Sequence, residues 1–264
     1  MDEKLLLYLD ILGFSDLVSK PSEVKELYEI VDNLNVFLHK PQFECIVFSD
    51  TMLIYNSFPL TQRERERERA IMWMCEFAQD LFYRLIGRDL HFRALLTEGK
   101  FEHSQLKNIQ AFFGEALVQA YNYESKITAT GLFMDKRLVP HSDIFKTDPY
   151  DAQYDYVHLM QTLGGIEFLS STYPIEGWIL KCTEDEYFLA YDFTYLRNIH
   201  RHMINPNLPG PLRAKYITTW QLIRSRYAKI LDALEANNFD PSSIASLDWT
   251  EPMRRVGTPD GYHG

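Results

Sequence analysis

The stretch from Leu5 to Ile11, LLLYLDI, is apolar at every position except Asp10. A strand that is apolar on both faces, rather than at alternate positions, reads as one buried from both sides. The chain therefore has to supply a sheet and the elements that cover it. The run also makes Asp10 stand out, because an ionised carboxylate is rarely buried unless it is paired or holds a metal. The same oddity recurs at Asp50, inside the strand-like run FECIVFSDTMLIY of residues 43 to 55.

After Gly13 the period changes. Val24, Leu27, Tyr28, Val31, Leu34 and Leu38 recur at spacings of three and four and predict one face of an amphipathic helix. Residues 43 to 48 and 51 to 55 are rich in β-formers and are parted only by Ser49 and Asp50, which predicts a hairpin with Asp50 at or near its tip. A second helix is expected from the stripe Ile71, Met74, Cys75, Ala78, Leu81, Phe82 and Leu85, ending before Gly87. Ahead of it, Arg63 to Arg69 is a charge run with opposite charges at i,i+3 and like charges at i,i+4. A solvated first turn is its simpler reading, and a docking surface the alternative.

His91 to Phe101 is strand-like with Gly99 near its end, Phe112 to Ser125 reads as a helix opened by Gly114, and Leu132 to Met134 as a strand. Strands alternating with helices in this way predict an α/β (α+β) chain with a mixed sheet and helices packed on it. Beyond residue 140 the pattern loosens: HSDIFKTDPYDAQYD is a connection, EDEYFLAYDF at 184 to 193 reads as a strand, NPNLPGP is a helix breaker, and Ala214 to Leu234 reads as a long terminal helix. Residues 1 to 236 are expected to form one domain, followed by an irregular tail over 237 to 264.

Composition narrows the partners. The 264 residues are 46% hydrophobic, enough for a sizeable core. The net charge of −10 leaves no bulk electrostatic footprint for nucleic acid, so a phosphate-bearing partner would be held by local groups or metals. Cys45, Cys75 and Cys182 lie far apart with no CxxC spacing, which suits a reduced, cytoplasmic setting and excludes a zinc knuckle. The start MDEKLLLYLD reads as neither a signal peptide nor a membrane span, and no membrane association is expected.

Two carboxylates, one closing the first strand and one at the next hairpin, suit two hard cations such as Mg²⁺ or Mn²⁺. Between them, Gly13 allows close backbone approach, and the amides of Leu12, Gly13, Phe14 and Ser15 at a helix start suit a polyphosphate. Asp16 reads as a helix-start residue and Gly99 and Gly114 as backbone-geometry positions. Thr51 is either a β-former or a substrate contact, and Phe113, Tyr121 and Tyr123 either core or the lining of a base or dimer pocket. His200 and His202 lack helical metal spacing, and no histidine is assigned a role.

YLDILGFSDLV, CIVFSDTMLIY, FRALLTEGKF and FFGEALVQAYNYES together resemble the successive motifs of the class III nucleotidyl cyclases. With EDEYFLAYDF and KYITTWQLIRSRYAKIL, the chain is similar to the bacterial Pycsar pyrimidine cyclases over most of its length. The resemblance implies a class III cyclase-like, ferredoxin-type βαββαβ core and a homodimer with its active sites at the interface. It implies that Asp10 and Asp50, with the Ile11 carbonyl, hold two Mg²⁺ or Mn²⁺ ions. The implied reaction is attack of a ribose 3′-oxygen on the α-phosphorus of a nucleoside triphosphate, giving a 3′,5′-cyclic nucleotide and pyrophosphate.

The chain departs from the better-known purine cyclases at two places. Their helix motif carries Asn and Arg four and eight residues after its Gly, where this chain has Val118 and Asn122. Asn122 stays among the candidate substrate contacts. Arg93 is the first candidate for the cation on the transferring phosphoryl group, ahead of Arg137 and Lys126. The purine-reading Lys or Glu four residues before the hairpin aspartate is here Ile46, which points to a pyrimidine substrate, UTP or CTP, and to cyclic UMP or cyclic CMP. In the family such products serve anti-phage defence by activating a separate receptor protein. The alternatives are a purine cyclase that reads its base by other residues, and a catalytically silent nucleotide-binding dimerisation module.

Overall fold

A computed structural model describes residues 1–60, 64–169, 172–181, 185–256 and 258. The chain falls into two compact units, Met1–Phe82 with Leu90–Leu159, and Tyr83–Asp89 with Met160–Gly264.

The first unit is built around β1 (Asp2–Ile11), where Leu5 through Leu9 and Ile11 are all buried. After it come a one-turn helix α1 (Phe14–Leu17), α2 (Pro21–Asp32), the hairpin of β2 (Phe43–Phe48) and β3 (Thr51–Asn56), the long helix α3 (Glu64–Ile86) and β4 (Phe92–Gln105). β3 and β4 flank β1, and β2 flanks β3, every pairing antiparallel. The order β2-β3-β1-β4 is the ferredoxin-type βαββαβ arrangement. The chain continues with β5 (Gln110–Phe113), α4 (Glu115–Glu124), β6 (Gly131–Asp135), β7 (Thr147–Pro149) and β8 (Tyr154–Val157). β6 joins β4 in parallel, so the sheet is mixed, and β8 and β7 extend it.

The helical stripes follow the expected period where the helix persists. On α3, Ile71, Met74, Cys75, Ala78, Leu81 and Phe82 are buried as predicted. On α2, Leu27 and Val31 are buried, but the helix ends at Asp32 and a short 3-10 turn, Asn35–His39, rotates Leu38 into solvent. The charge run is less solvated than its simple reading: the Arg67 guanidinium forms a two-pronged pair with the Glu98 carboxylate on β4. Arg63, at the start of that run, lies outside the described residues.

Two local expectations are corrected here. Phe112 and Phe113 belong to β5, paired with β4, so the helix begins only after Gly114. The connection HSDIFKTDPYDAQYD contains β7 and part of β8, which the Pro- and Asp-rich composition concealed.

The second unit is helical: α5 (Gln161–Leu169), α6 (Gly177–Lys181), α7 (Asp185–Ile204), α8 (Gly210–Ala236) and α9 (Thr250–Val256), with a small parallel pair of β9 (Ile175–Glu176) and β10 (Ala245–Ser246). EDEYFLAYDF, expected as a strand, lies in α7 from Asp185 onward; Glu184 is outside the described residues. Leu189 through Leu196 are all buried, and a helix apolar all round gives the same unbroken run as a strand covered on both faces. The chain leaves α7 and starts α8 across the NPNLPGP breaker, as expected. α8 is interrupted at Tyr227, with φ −111° and ψ 36°. After Asn237 the chain forms a 3-10 turn, β10 and α9; residue 257 and residues 259–264 lie outside the described residues, as does Cys182. Cys45 and Cys75 are free thiols. No helix among the described residues is long and apolar enough to cross a membrane.

Candidate active site

Residues paired across neighbouring strands share a face of the sheet, as do residues two apart on one strand. The register therefore lines up Phe48, Thr51, Asp10, Arg93 and Gly131 across β2, β3, β1, β4 and β6. On the same face, a second row holds Ile46, Leu53, Tyr8, Leu95 and Phe133. Asp10 thus sits between Thr51 and Arg93, at the end of the strand whose burial made it conspicuous.

The hairpin delivers Asp50 to the same place. Ser49 turns the chain with φ 56°, and its carbonyl accepts a hydrogen bond from the Tyr28 hydroxyl at 3.1 Å. The Ile11 N–H then donates to the Asp50 carbonyl at 3.0 Å, which fixes Asp50 beside the residue that follows Asp10. Both aspartates are half-buried. The Tyr8 phenol senses the two together: burial raises its pKa, a hydrogen bond with Thr51 opposes the rise, and the charges of Asp10 and Asp50 each add to it. Tyr8 was absent from the expected site, although its position two residues before Asp10 on a strand put it on the same face.

Arg93 supplies the positive charge. Its Nη2 donates to Asp10 Oδ2 at 3.0 Å and also pairs with Glu124 Oε1, while Nη1 donates to the carbonyls of Glu124 at 3.2 Å and Ile127 at 3.5 Å. The three side chains are largely shielded, at 11% exposure for Arg93, 18% for Asp10 and 15% for Glu124. Burial pulls the Arg93 pKa down and the neighbouring Asp10 opposes that, so the group stays a cation. Glu124 closes α4, and an arginine on the last carbonyls of a helix is favourable for the backbone there.

The glycine turn after β1 differs in one respect from expectation. Gly13 adopts φ 76°, and a Cβ there would meet open space, as a backbone meant to approach a ligand requires. The Leu12 N–H, however, donates to the His91 carbonyl at 2.9 Å and is not offered to a phosphate. Gly13, Phe14 and Ser15 remain, and they open only the single turn of α1, too short for much helix dipole. Phe14 is buried, edge-on to Tyr28, whereas Ser15 is exposed.

The other candidates lie on β2, on α4 and in the segments that follow α4 and β6. Ile46 is half-buried on β2, in the row of Tyr8. Asn122 is exposed on α4, as are Val118 and Tyr121. Lys126 stands 5.4 Å over the Tyr123 ring. Arg137 is committed to Asp135, with Nε 3.0 Å from Oδ1 and Nη2 2.6 Å from Oδ2; burial pushes that carboxyl up, and the bonds from Arg137 and Gln119 together outweigh it and hold it below its usual range. The structure therefore gathers Asp10, Ile11, Asp50, Thr51 and Arg93, and ties Arg137 to Asp135 instead.

Asp10 and Asp50 each offer carboxylate oxygens, hard donors of the kind that Mg²⁺ or Mn²⁺ take.

No family model and no curated protein matches the chain. Among solved structures it is similar to the adenylyl cyclase CyaB from P. aeruginosa, at 10% identity over 59% of this chain and 93% of that one, with a TM-score of 0.43. It is also similar to the monomeric guanylyl cyclase domain of the RhoGC fusion protein from the aquatic fungus Blastocladiella emersonii, at 14% identity over 59% and 94%, TM-score 0.43. A bacterial light-regulated adenylyl cyclase matches at 12% identity over 60% and 91%, TM-score 0.44. Likeness of this degree assigns no residue a role.

Proposed function

We propose that the first unit is a nucleotidyl cyclase domain that converts a pyrimidine nucleoside triphosphate, UTP or CTP, to its 3′,5′-cyclic monophosphate and pyrophosphate. The observation that carries the reading is the junction of β1 with the β2–β3 hairpin, where the Ile11 N–H grips the Asp50 carbonyl and Asp10 lies opposite Thr51. This junction joins the backbones of two half-buried aspartates 40 positions apart in sequence, which supports their acting together.

Asp10 and Asp50, with the Ile11 backbone, would hold two Mg²⁺ or Mn²⁺ ions, which supply activation of the 3′-hydroxyl and neutralise charge on the phosphates. The chain's own groups orient the rest. Gly13, Phe14 and Ser15 offer backbone donors to the phosphates, Thr51 lies beside Asp10, and Arg93 brings a cation to the same carboxylate. Ile46 supports a pyrimidine over a purine, because on the face shared with Tyr8 and Asp10 it has no polar handle for a purine edge. Phe48, Phe113, Val118 and Tyr121 are exposed on the hairpin, β5 and α4, and support a homodimer formed by this unit. In this reading the cyclic nucleotide is a cytoplasmic second messenger of anti-phage defence that acts on a separate receptor.

Replacing Asp50 or Asp10 with Asn tests the reading at its base. Each change is expected to lower turnover by at least about 100-fold while leaving the melting midpoint within a few degrees of the parent. Parent-like turnover of UTP and CTP by Asp50→Asn would remove the two-metal mechanism.

A further inference from the structure

Arg93 does not belong to Asp10 alone. One Nη2 touches both Asp10 Oδ2 and Glu124 Oε1, and Nη1 is spent on the carbonyls of Glu124 and Ile127. A single guanidinium between two carboxylates leaves one negative charge over, to which Asp50 adds another. Were Glu124 uncharged, the full charge of Arg93 would fall on Asp10 and weaken its pull on a dication arriving at the strand end.

We infer that Glu124 is a positioning residue that balances the charge of Arg93 and so keeps Asp10 available to a divalent cation. The inference rests on the reading above that Asp10 and Asp50 hold that cation. Glu124 is assigned the guanidinium and not the metal. It acts by holding the guanidinium at the end of α4, where the two carbonyls share the load, so that Asp10 can turn one oxygen toward a metal without stranding a buried arginine. The same contact makes the last turn of α4 part of the cation site's support, although α4 contributes no ligand to it.

The test measures Mn²⁺ binding to the full chain by titration calorimetry with manganese chloride and no nucleotide. Glu124→Gln is expected to weaken Mn²⁺ binding about tenfold, because the full charge of Arg93 then rests on Asp10. The double change Glu124→Gln with Arg93→Met removes both charges and is expected to return affinity to within about threefold of the parent, as is Glu124→Asp, which keeps the charge. Parent-like affinity in Glu124→Gln, with binding abolished by Asp10→Asn, would overturn the role of Glu124 and leave the cation reading standing. Parent-like affinity in Asp10→Asn would remove the cation reading, and the role of Glu124 with it. Should Glu124→Gln fail to fold, the double variant decides alone, since tenfold weaker binding there contradicts charge balancing.

Discussion

Asp10 can sit in a largely apolar strand because the Arg93 guanidinium lies 3.0 Å from its carboxylate, whereas the Ile11 N–H fixes the backbone of Asp50 and not its charge. Tyr8 adds a hydroxyl beside both, tied to Thr51. The aspartates were legible in the sequence as polar interruptions of apolar runs, but Arg93 as the partner of Asp10 was not, because a cross-strand pair 83 positions apart leaves no local pattern. Glu124 stands in the motif FFGEALVQAYNYES, but its pairing with Arg93, 31 positions away, left no local pattern either. Gly114 shows how tightly the scaffold fits behind the site: its φ is 148°, and a Cβ there would lie 2.2 Å from the Lys100 carbonyl oxygen and 2.8 Å from the Phe101 Cα. Gly114→Ala is expected to destabilise the first unit by about 3 kcal/mol, read as a lower denaturant midpoint.

Among elements, β1 and the β2–β3 hairpin were read correctly because their patterns are determined locally, by apolar runs on both faces and by a two-residue turn. α7 was not, since a helix buried on every side and a covered strand look alike when only apolar content is visible. That helix carries Asp192, which is fully buried and accepts a hydrogen bond from the Tyr83 hydroxyl at 3.1 Å. Burial raises its pKa well above the ordinary aspartate value, with the Tyr83 bond a smaller opposing cause. A carboxyl whose pKa is higher folded than unfolded favours the folded state at low pH, and that stability is lost as pH rises from the unfolded value, about 3.9, through the folded one. Asp192→Asn is therefore expected to flatten the decline in melting midpoint of the second unit between pH 4 and pH 8. An unchanged pH profile would show that Asp192 is not its source. On the opposite kind of surface, α4 presents Val118 at 59% and Tyr121 at 67% exposure, too apolar to be idle if the first unit pairs with a copy of itself. Changing both to Lys is expected to give a folded monomer by sedimentation, with turnover reduced at least about tenfold.

For the molecule as a whole, the acidic composition and the site agree. In the proposed reading, a chain of net charge −10 would bind phosphates through a few groups at one strand end, with cations and backbone donors in place of a basic surface. The βαββαβ order was legible because alternating elements constrain which strands can be neighbours, whereas in the helical second unit α8 was legible but α7, the Tyr227 interruption and the short β9–β10 pair were not. The central claim concerns the product. Incubating the full chain separately with ATP, GTP, UTP and CTP in the presence of Mn²⁺, and identifying the product by mass, is expected to give cyclic UMP or cyclic CMP and pyrophosphate. A cyclic purine nucleotide as the main product, or no cyclic product from any of the four while Mn²⁺ binds, would contradict it.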